Sequence, residues 1–153
     1  MKKLSKLLLV GLIATTLTGC GEDVVETKTC SKQNKDYHET YVLTATNDEI
    51  EKVELKFVYE NSMFGVDTLA DLDDATKELV KTNMLQTLGL DSASYEGFEV
   101  DIDIQDKMTV TIKADLKIAD SSIMKKVGLD FANTDMSLKR AVSDLEDSGS
   151  VCK

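Results

Sequence analysis

The chain has 153 residues, 28 acidic against 18 basic, and a formal net charge of −10 at pH 7. A surface this acidic repels nucleic acid and anionic lipid head groups and tolerates cationic partners, although solubility alone accounts for the charge. The length fits one domain that is large enough to bury a core.

The first nineteen residues are typical of a secretory signal peptide. Lysines at positions 2, 3 and 6 precede an apolar run, residues 7–17, that is shorter than the roughly 20 residues of a transmembrane helix. The next tetrapeptide ends at Cys20 and resembles the lipobox of bacterial lipoproteins, Leu-Thr-Gly-Cys here, whose cysteine sulfur receives a diacylglycerol before cleavage. We therefore predict a signal peptide over residues 1–19 and lipidation of Cys20. Such a protein is lipid-anchored at the extracytoplasmic face of the bacterial cell membrane.

Residues 20–26 form a short predicted tether, because the chain has no proline and this segment has no serine-rich stalk. Six extended residues reach only about 20 Å. We therefore expect one domain, residues 27–153, that works close to the membrane.

Two hairpins and a preceding strand are predicted. Residues 27–33 form the first strand. In the next strand Tyr41 and Leu43 alternate with threonines, and Val42 breaks the polar side of this pattern. Asn47-Asp48 is a turn signal, and the strand that returns from it has a spacing that indicates a bulge or a late start near Glu51. The second hairpin has one strand from Val100 to Ile104, a turn at residues 106–107 and a strand that alternates as far as Ile118.

Three helices complete the prediction. The first begins at Thr68 or Asp71 and ends at residue 88, and Gly89-Leu90 has the pattern of a Schellman stop. A short second helix spans residues 121–127, and the last spans about 135–146. The apolar stripe of the first helix is Leu72, Ala75, Leu79, Val80, Met84 and Leu88. The predicted fold is α+β: an antiparallel sheet of four to six strands, with helices mainly on one face.

Two cysteines besides Cys20 lie near the ends of the predicted domain, Cys30 and Cys152. An oxidising compartment permits a disulfide between them, and the alternative is two free thiols that never meet. The bridge would close a loop of 121 residues, which the chain-entropy model values at about 4–5 kcal/mol. Their number and terminal placement favour the disulfide.

Several of these features together resemble the YehR-like small bacterial lipoproteins. They are the lipobox cysteine, a strand carrying Thr29-Cys30, a hairpin with an Asn-Asp turn, and the terminal Ser-Gly-x-x-Cys-Lys at residues 148–153. The resemblance implies a compact α+β domain and supports pairing Cys30 with Cys152. No function is assigned to that family, so it supplies no catalytic residues.

Candidates for catalysis are few. His38 is the only histidine, and neither a Gly-x-Ser-x-Gly elbow nor clustered zinc ligands accompany it. Asp71, Asp73 and Asp74 suit the start of a helix better than a calcium loop, which needs a glycine and a closing glutamate. Asp101 and Asp103 lie about 7 Å apart on one strand face, a spacing that a glycosidase pair can use, but that face is predicted to meet solvent.

Exposed aromatic residues give one candidate for a partner-binding surface, around Met63-Phe64, although packing in the core or anchoring of loops explains them better. We therefore predict a non-enzymatic binding or accessory lipoprotein without a cofactor or a metal. Its expected partners are the membrane, through Cys20, and an unidentified protein or small ligand, but no nucleic acid. The alternative is an extracytoplasmic hydrolase that uses acidic residues.

Overall fold

The computed structural model describes residues 23–129 and 137–153. They form one antiparallel sheet of seven strands in the order β4-β5-β6-β3-β2-β1-β7. The strands are β1 (Val25–Gln33), β2 (Tyr37–Thr46), β3 (Glu49–Tyr59), β4 (Ser94–Tyr95), β5 (Phe98–Ile104), β6 (Met108–Asp115) and β7 (Val151–Cys152). The helices are a 3-10 turn (Asn61–Phe64), α1 (Asp74–Thr87), α2 (Ser121–Lys126) and α3 (Leu138–Asp147). The predicted signal peptide (1–19), Cys20 and the expected start of the last helix at residues 135–136 lie outside the described residues.

The α+β prediction is confirmed, but the sheet has seven strands where four to six were expected. The two short strands β4 and β7 raise the number. Each has two residues, too few to produce an alternating pattern, and each exists because a neighbouring strand supplies its hydrogen bonds. Strand β1 also begins at Val25, two residues before the predicted start.

The first hairpin follows its sequence pattern closely. Asn47 and Asp48 both adopt positive φ, 53° and 72°, as the predicted two-residue turn requires. The register shifts where Thr44 faces Lys52 and Ala45 faces Ile50, so Glu51 is the extra residue of the predicted bulge.

Helix boundaries show where local signals compete. Helix α1 begins later than predicted, at Asp74, because the Asp73 side chain caps it and accepts hydrogen bonds from Thr76 N at 2.8 Å and Thr76 Oγ1 at 3.0 Å. Its predicted Schellman stop is confirmed, with Leu90 N donating to Leu85 O at 2.9 Å. The assignment of Leu79 to the buried stripe was wrong, since its side chain is 60% exposed.

The core lies between one face of the sheet and the helices. This face carries Leu43, Leu55, Phe98, Val100, Ile102, Ile104, Met108, Val110, Ile112 and Ala114, all buried. From α1 and α3, the partly buried Val80, Met84, Val142 and Leu145 pack against it. The opposite face carries threonines and charged residues, and among the residues that the structure describes no helix covers it.

The turn of the first hairpin also caps helix α3. The carboxylate of Asp48 accepts hydrogen bonds from Ser137 Oγ at 2.9 Å and from Lys139 N at 3.1 Å, and the backbone oxygen of Asp48 accepts from Leu138 N at 2.7 Å. The hydrogen bond from the Ser137 hydroxyl and that from the Lys139 amide lower the pKa of Asp48 below its usual value. The turn therefore fixes where α3 begins.

We expect Asp48→Asn to lower the free energy of unfolding at pH 7 and to have a smaller effect at an acidic pH below the lowered pKa of Asp48, where the wild-type carboxylate is itself protonated. The sign follows from the lowered pKa: the charged group stabilises the fold above its unfolded value and stops doing so as the pH falls through its folded value. Asparagine tolerates the left-handed backbone of this turn, so the substitution removes the charge and one of the two accepting oxygens without straining the backbone. Urea unfolding at both pH values measures the difference. The exposed Asp101, as Asp101→Asn, is the control, and an equal pH dependence in both variants would contradict the prediction.

Cys30 and Cys152 form the predicted disulfide, and their Cα atoms lie 4.0 Å apart. They stand directly opposite each other because β7 pairs with β1, through Thr29 N to Lys153 O at 3.1 Å and Lys153 N to Thr29 O at 2.9 Å. Lys32 Nζ donates to Ser148 O at 2.7 Å and ties the end of α3 to the same strand. The bridge therefore joins the last strand to a fully buried position in β1.

Candidate functional site

A pocket of about 490 Å³ lies on the uncovered face of the sheet. It spans strands β2 to β6 near the end of the sheet where β1 begins, and β4 and the turn before β5 form its far wall. The volume is within the range of small-molecule sites, roughly 300–1,000 Å³. Besides backbone atoms and residues that face the core, the pocket is lined by Val42, Thr44, Lys52, Glu54, Ser94, Glu99, Lys113 and Asp115.

The register gives the pocket an alternating pattern of charge. Lys52 stands opposite Asp115, and two residues further along the same strands Glu54 stands opposite Lys113. On the other side of Lys113 the neighbour is Glu99. Side chains directly opposite each other have Cβ atoms about 4.5–5.5 Å apart, and those two residues along a strand about 7 Å apart. Every ammonium group therefore has a carboxylate both beside it and along its strand.

Most of the charged side chains of the pocket form no hydrogen bond or ion pair within the described residues. Within the described ranges, no hydrogen bond or ion pair engages the side-chain charges of Lys52, Glu54, Glu99 or Lys113. Lys117, just outside the pocket, does form an ion pair, with Glu51 at 2.6 Å. Of the two carboxylate oxygens of Asp115, one accepts a hydrogen bond within the described residues, from the amide of Lys117 at 3.1 Å. The pocket thus presents ammonium and carboxylate groups that are available to a ligand.

Tyr95 holds one wall of the pocket in place from the helix-covered side of the sheet, since it stands opposite the buried Phe98 in the register. Its hydroxyl accepts hydrogen bonds from Asp91 N at 3.1 Å and Ser92 N at 3.0 Å and donates to the Asp91 carboxylate. That hydrogen bond lowers the pKa of Asp91. The ring also meets Phe98 edge to face, with centroids 6.1 Å apart. Because both ends of the side chain are fixed, the backbone of β4 at the edge of the pocket is already ordered before a ligand binds.

The turn that carries this wall depends on Gly97. Its φ is +68°, and a Cβ at this position would contact the Ile118 side chain and would lie 2.8 Å from Ala119 N. Ile118 reaches this site because β6 ends at Asp115, earlier than predicted. It was expected to continue the strand but is 57% exposed in the following turn.

The acidic residues considered for catalysis do not form a site. Asp101 and Asp103 are exposed on β5, as the solvent-face interpretation has it. Asp73 caps α1, which the helix-start interpretation of the acidic cluster predicts. His38 is half-buried on the uncovered face, with Nε2 3.4 Å from Thr40 Oγ1. The described part of the chain brings no group of three His, Cys, Asp or Glu side chains together that could hold a metal ion.

The aromatic residues form a cluster at the opposite end of the sheet from the pocket. Tyr37, Phe57, Tyr59 and Phe64 have ring centroids 5.9–6.4 Å apart. All but Tyr37 pack against the helix-covered core, and burial raises the pKa of Tyr59. Packing against the core accounts for the position of Phe64. It does not account for Met63, whose side chain is 54% exposed.

The pocket itself was missed by the sequence analysis. Its one visible signal is Val42, an apolar residue on the side of β2 that otherwise carries threonines. The charges of β3, β5 and β6 were interpreted as a solvated face, because their alignment depends on which strands become neighbours.

Within residues 23–129 and 137–153, no helix has both the length and the apolar character needed to cross a membrane. No protein-family model matches the sequence, and no curated protein matches it. Solved structures with a similar fold include the YehR protein of E. coli, determined by NMR, at 12% identity and a TM-score of 0.63 over 85% of this chain and 91% of that chain. A protein from Streptococcus pneumoniae TIGR4, also determined by NMR, has 13% identity and a TM-score of 0.55 over 100% of this chain and 98% of that chain. The likeness shows a YehR-like α+β fold.

Proposed function

We propose that this chain is a membrane-anchored extracytoplasmic lipoprotein, related to the YehR-like lipoproteins, that binds a small ligand without catalysing a reaction. The observation that carries the proposal is the pocket on the uncovered sheet face, whose lysine and glutamate side chains form no hydrogen bond or ion pair within the described residues. Placing such charges in one depression favours a ligand that supplies the missing partners.

The position of the pocket supports a role next to the membrane. The sheet begins at Val25, so five residue steps separate it from Cys20, which is about 17 Å when fully extended. The chain is held one residue earlier, since Val24 N donates to Asn47 Oδ1 at 3.0 Å and Asn47 N to Val24 O at 2.8 Å. Lys52 and Thr44, which line the pocket, lie at this end of β3 and β2. A ligand bound there stays close to the lipid anchor.

Photocross-linking in intact cells tests the proposal. A photoreactive side chain introduced in place of Ser94, at the rim of the pocket, is expected to capture a reproducible product in the membrane fraction.

In the Cys20→Ala background, incorporation of labelled fatty acid should be lost and the protein should leave the membrane fraction. Continued fatty-acid labelling of that variant would contradict the anchoring.

The matched control carries the same photoreactive side chain in place of Asp103, which is exposed on the same sheet face but at the opposite end. Its products should lack the one formed at position 94. If both positions give the same products, or if position 94 gives none, the pocket is not a binding site and the proposed function is wrong.

A further inference from the structure

We infer that the ligand of the pocket is a small zwitterion that carries an ammonium and a carboxylate group, as a free amino acid or a short peptide does. This rests on the proposed function and adds the chemical class of the ligand. The pattern of charge, and not the charge alone, carries the inference.

A ligand with a single charge meets opposing neighbours in this pocket. An anion placed at Lys113 is close to Glu54 on one side and Glu99 on the other. A cation placed at Glu54 is close to Lys113 across the strands and Lys52 along the strand. Because like charges at these distances repel, each simple ion loses at one neighbour what it gains at another. A zwitterion avoids this loss. Its carboxylate can lie at a lysine and its ammonium group at a neighbouring glutamate, so the neighbour that repels one end of the ligand attracts the other end.

The spacing fits a short ligand. Side chains of opposite charge leave the sheet about 5 Å apart across the strands and about 7 Å apart along a strand, measured between their Cβ atoms. The two charged ends of an extended dipeptide are separated by about 7 Å, given roughly 3.5 Å for each residue. The volume of about 490 Å³ leaves room for small side chains, and Val42 offers them apolar surface. The pocket therefore suits a dipeptide-sized zwitterion in both charge and length.

Calorimetry on the full chain in a non-ionic detergent tests this inference, with L-alanyl-L-alanine as the probe. The N-acetylated dipeptide and its C-terminal amide each lack one charge, and each is expected to bind about tenfold more weakly, because a charge-assisted hydrogen bond is lost and a like charge remains. Lys113→Gln should weaken binding of the dipeptide about tenfold and should abolish its advantage over the amide. Glu54→Gln should also weaken binding of the free dipeptide about tenfold, and the free dipeptide should then bind no more tightly than the N-acetylated form.

Lys56→Gln is the matched control for the lysine variant, since Lys56 is exposed on the same face of β3 but outside the pocket. It should leave all three affinities unchanged, and thermal unfolding should show that each variant is folded. If the acetylated and amidated dipeptides bind as tightly as the free one, the zwitterion assignment is wrong. If none of them binds while cross-linking at position 94 still gives its product, the proposed function stands and the ligand class is wrong. If both experiments are negative, both are wrong.

Discussion

Reduction of the Cys30–Cys152 disulfide is expected to lower the free energy of unfolding by about 4–5 kcal/mol. The two cysteines are 122 positions apart in the chain, so the bridge restricts nearly the whole domain in its unfolded state. The last strand has only two residues and is held otherwise by few hydrogen bonds, so it should detach first. Urea unfolding with and without a thiol reductant measures the change, in a Cys20→Ala background so that only this pair responds.

Cys152→Ala should reproduce the loss and should make stability independent of the reductant. Val151→Ala is the neighbouring control, because Val151 is 63% exposed and a surface change of this kind shifts stability by about 0.5 kcal/mol or less. A loss below about 1 kcal/mol on reduction would mean that contacts within the sheet, and not the bridge, hold the last strand in place.

Gly97→Ala is expected to destabilise the domain by about 2–5 kcal/mol. A left-handed backbone costs a residue with a Cβ roughly 1–2 kcal/mol, and overpacking adds about 1–3 kcal/mol. The overpacking arises because the new Cβ meets Ile118 and lies 2.8 Å from Ala119 N and 3.1 Å from Ile118 C. The backbone atoms cannot move aside as a flexible side-chain end can, so the turn beside Tyr95 must shift. Thermal and urea unfolding report the loss of stability.

Gly65→Ala separates the two causes. Gly65 has almost the same φ, +69°, but a Cβ there would have no neighbour within 4 Å. This variant should lose only the backbone contribution, about 1–2 kcal/mol. Equal losses at the two glycines would show that the close approach of residues 118 and 119 to the turn costs nothing.

The local signals of the sequence predicted most of the fold. Asn47-Asp48 gave the hairpin turn, the spacing around Glu51 gave the bulge, and Gly89-Leu90 gave the end of α1. Each of these is decided by residues close together in the chain, through backbone conformation and capping. The same holds for the covered face of the sheet, since the period of two in β5 and β6 separates core residues from solvent residues.

Errors arose where distant segments compete with local pattern. Leu79 fits a helical stripe by spacing, yet its side chain lies away from the sheet, because the position of α1 on the sheet is set by Val80, Met84 and Leu88. Ile118 continues an alternating pattern, but the chain leaves the strand after Asp115, where the Ile118 amide bonds to Asp115 O at 3.2 Å and closes a turn.

From the sequence alone, Cys20 predicts a lipid-anchored location outside the cytoplasm, and short-range periodicity and turn chemistry predict the α+β class. The sequence also identified Cys30 and Cys152 as a pair, although only the pairing of β7 with β1 places them opposite each other. The pocket was decided by tertiary structure alone. Lys52, Glu54, Glu99, Lys113 and Asp115 are scattered over more than sixty positions, and they alternate in charge only because β3 and β5 both become neighbours of β6 in a particular register. Strand order and register depend on how the whole core packs, so no local stretch of sequence contains them.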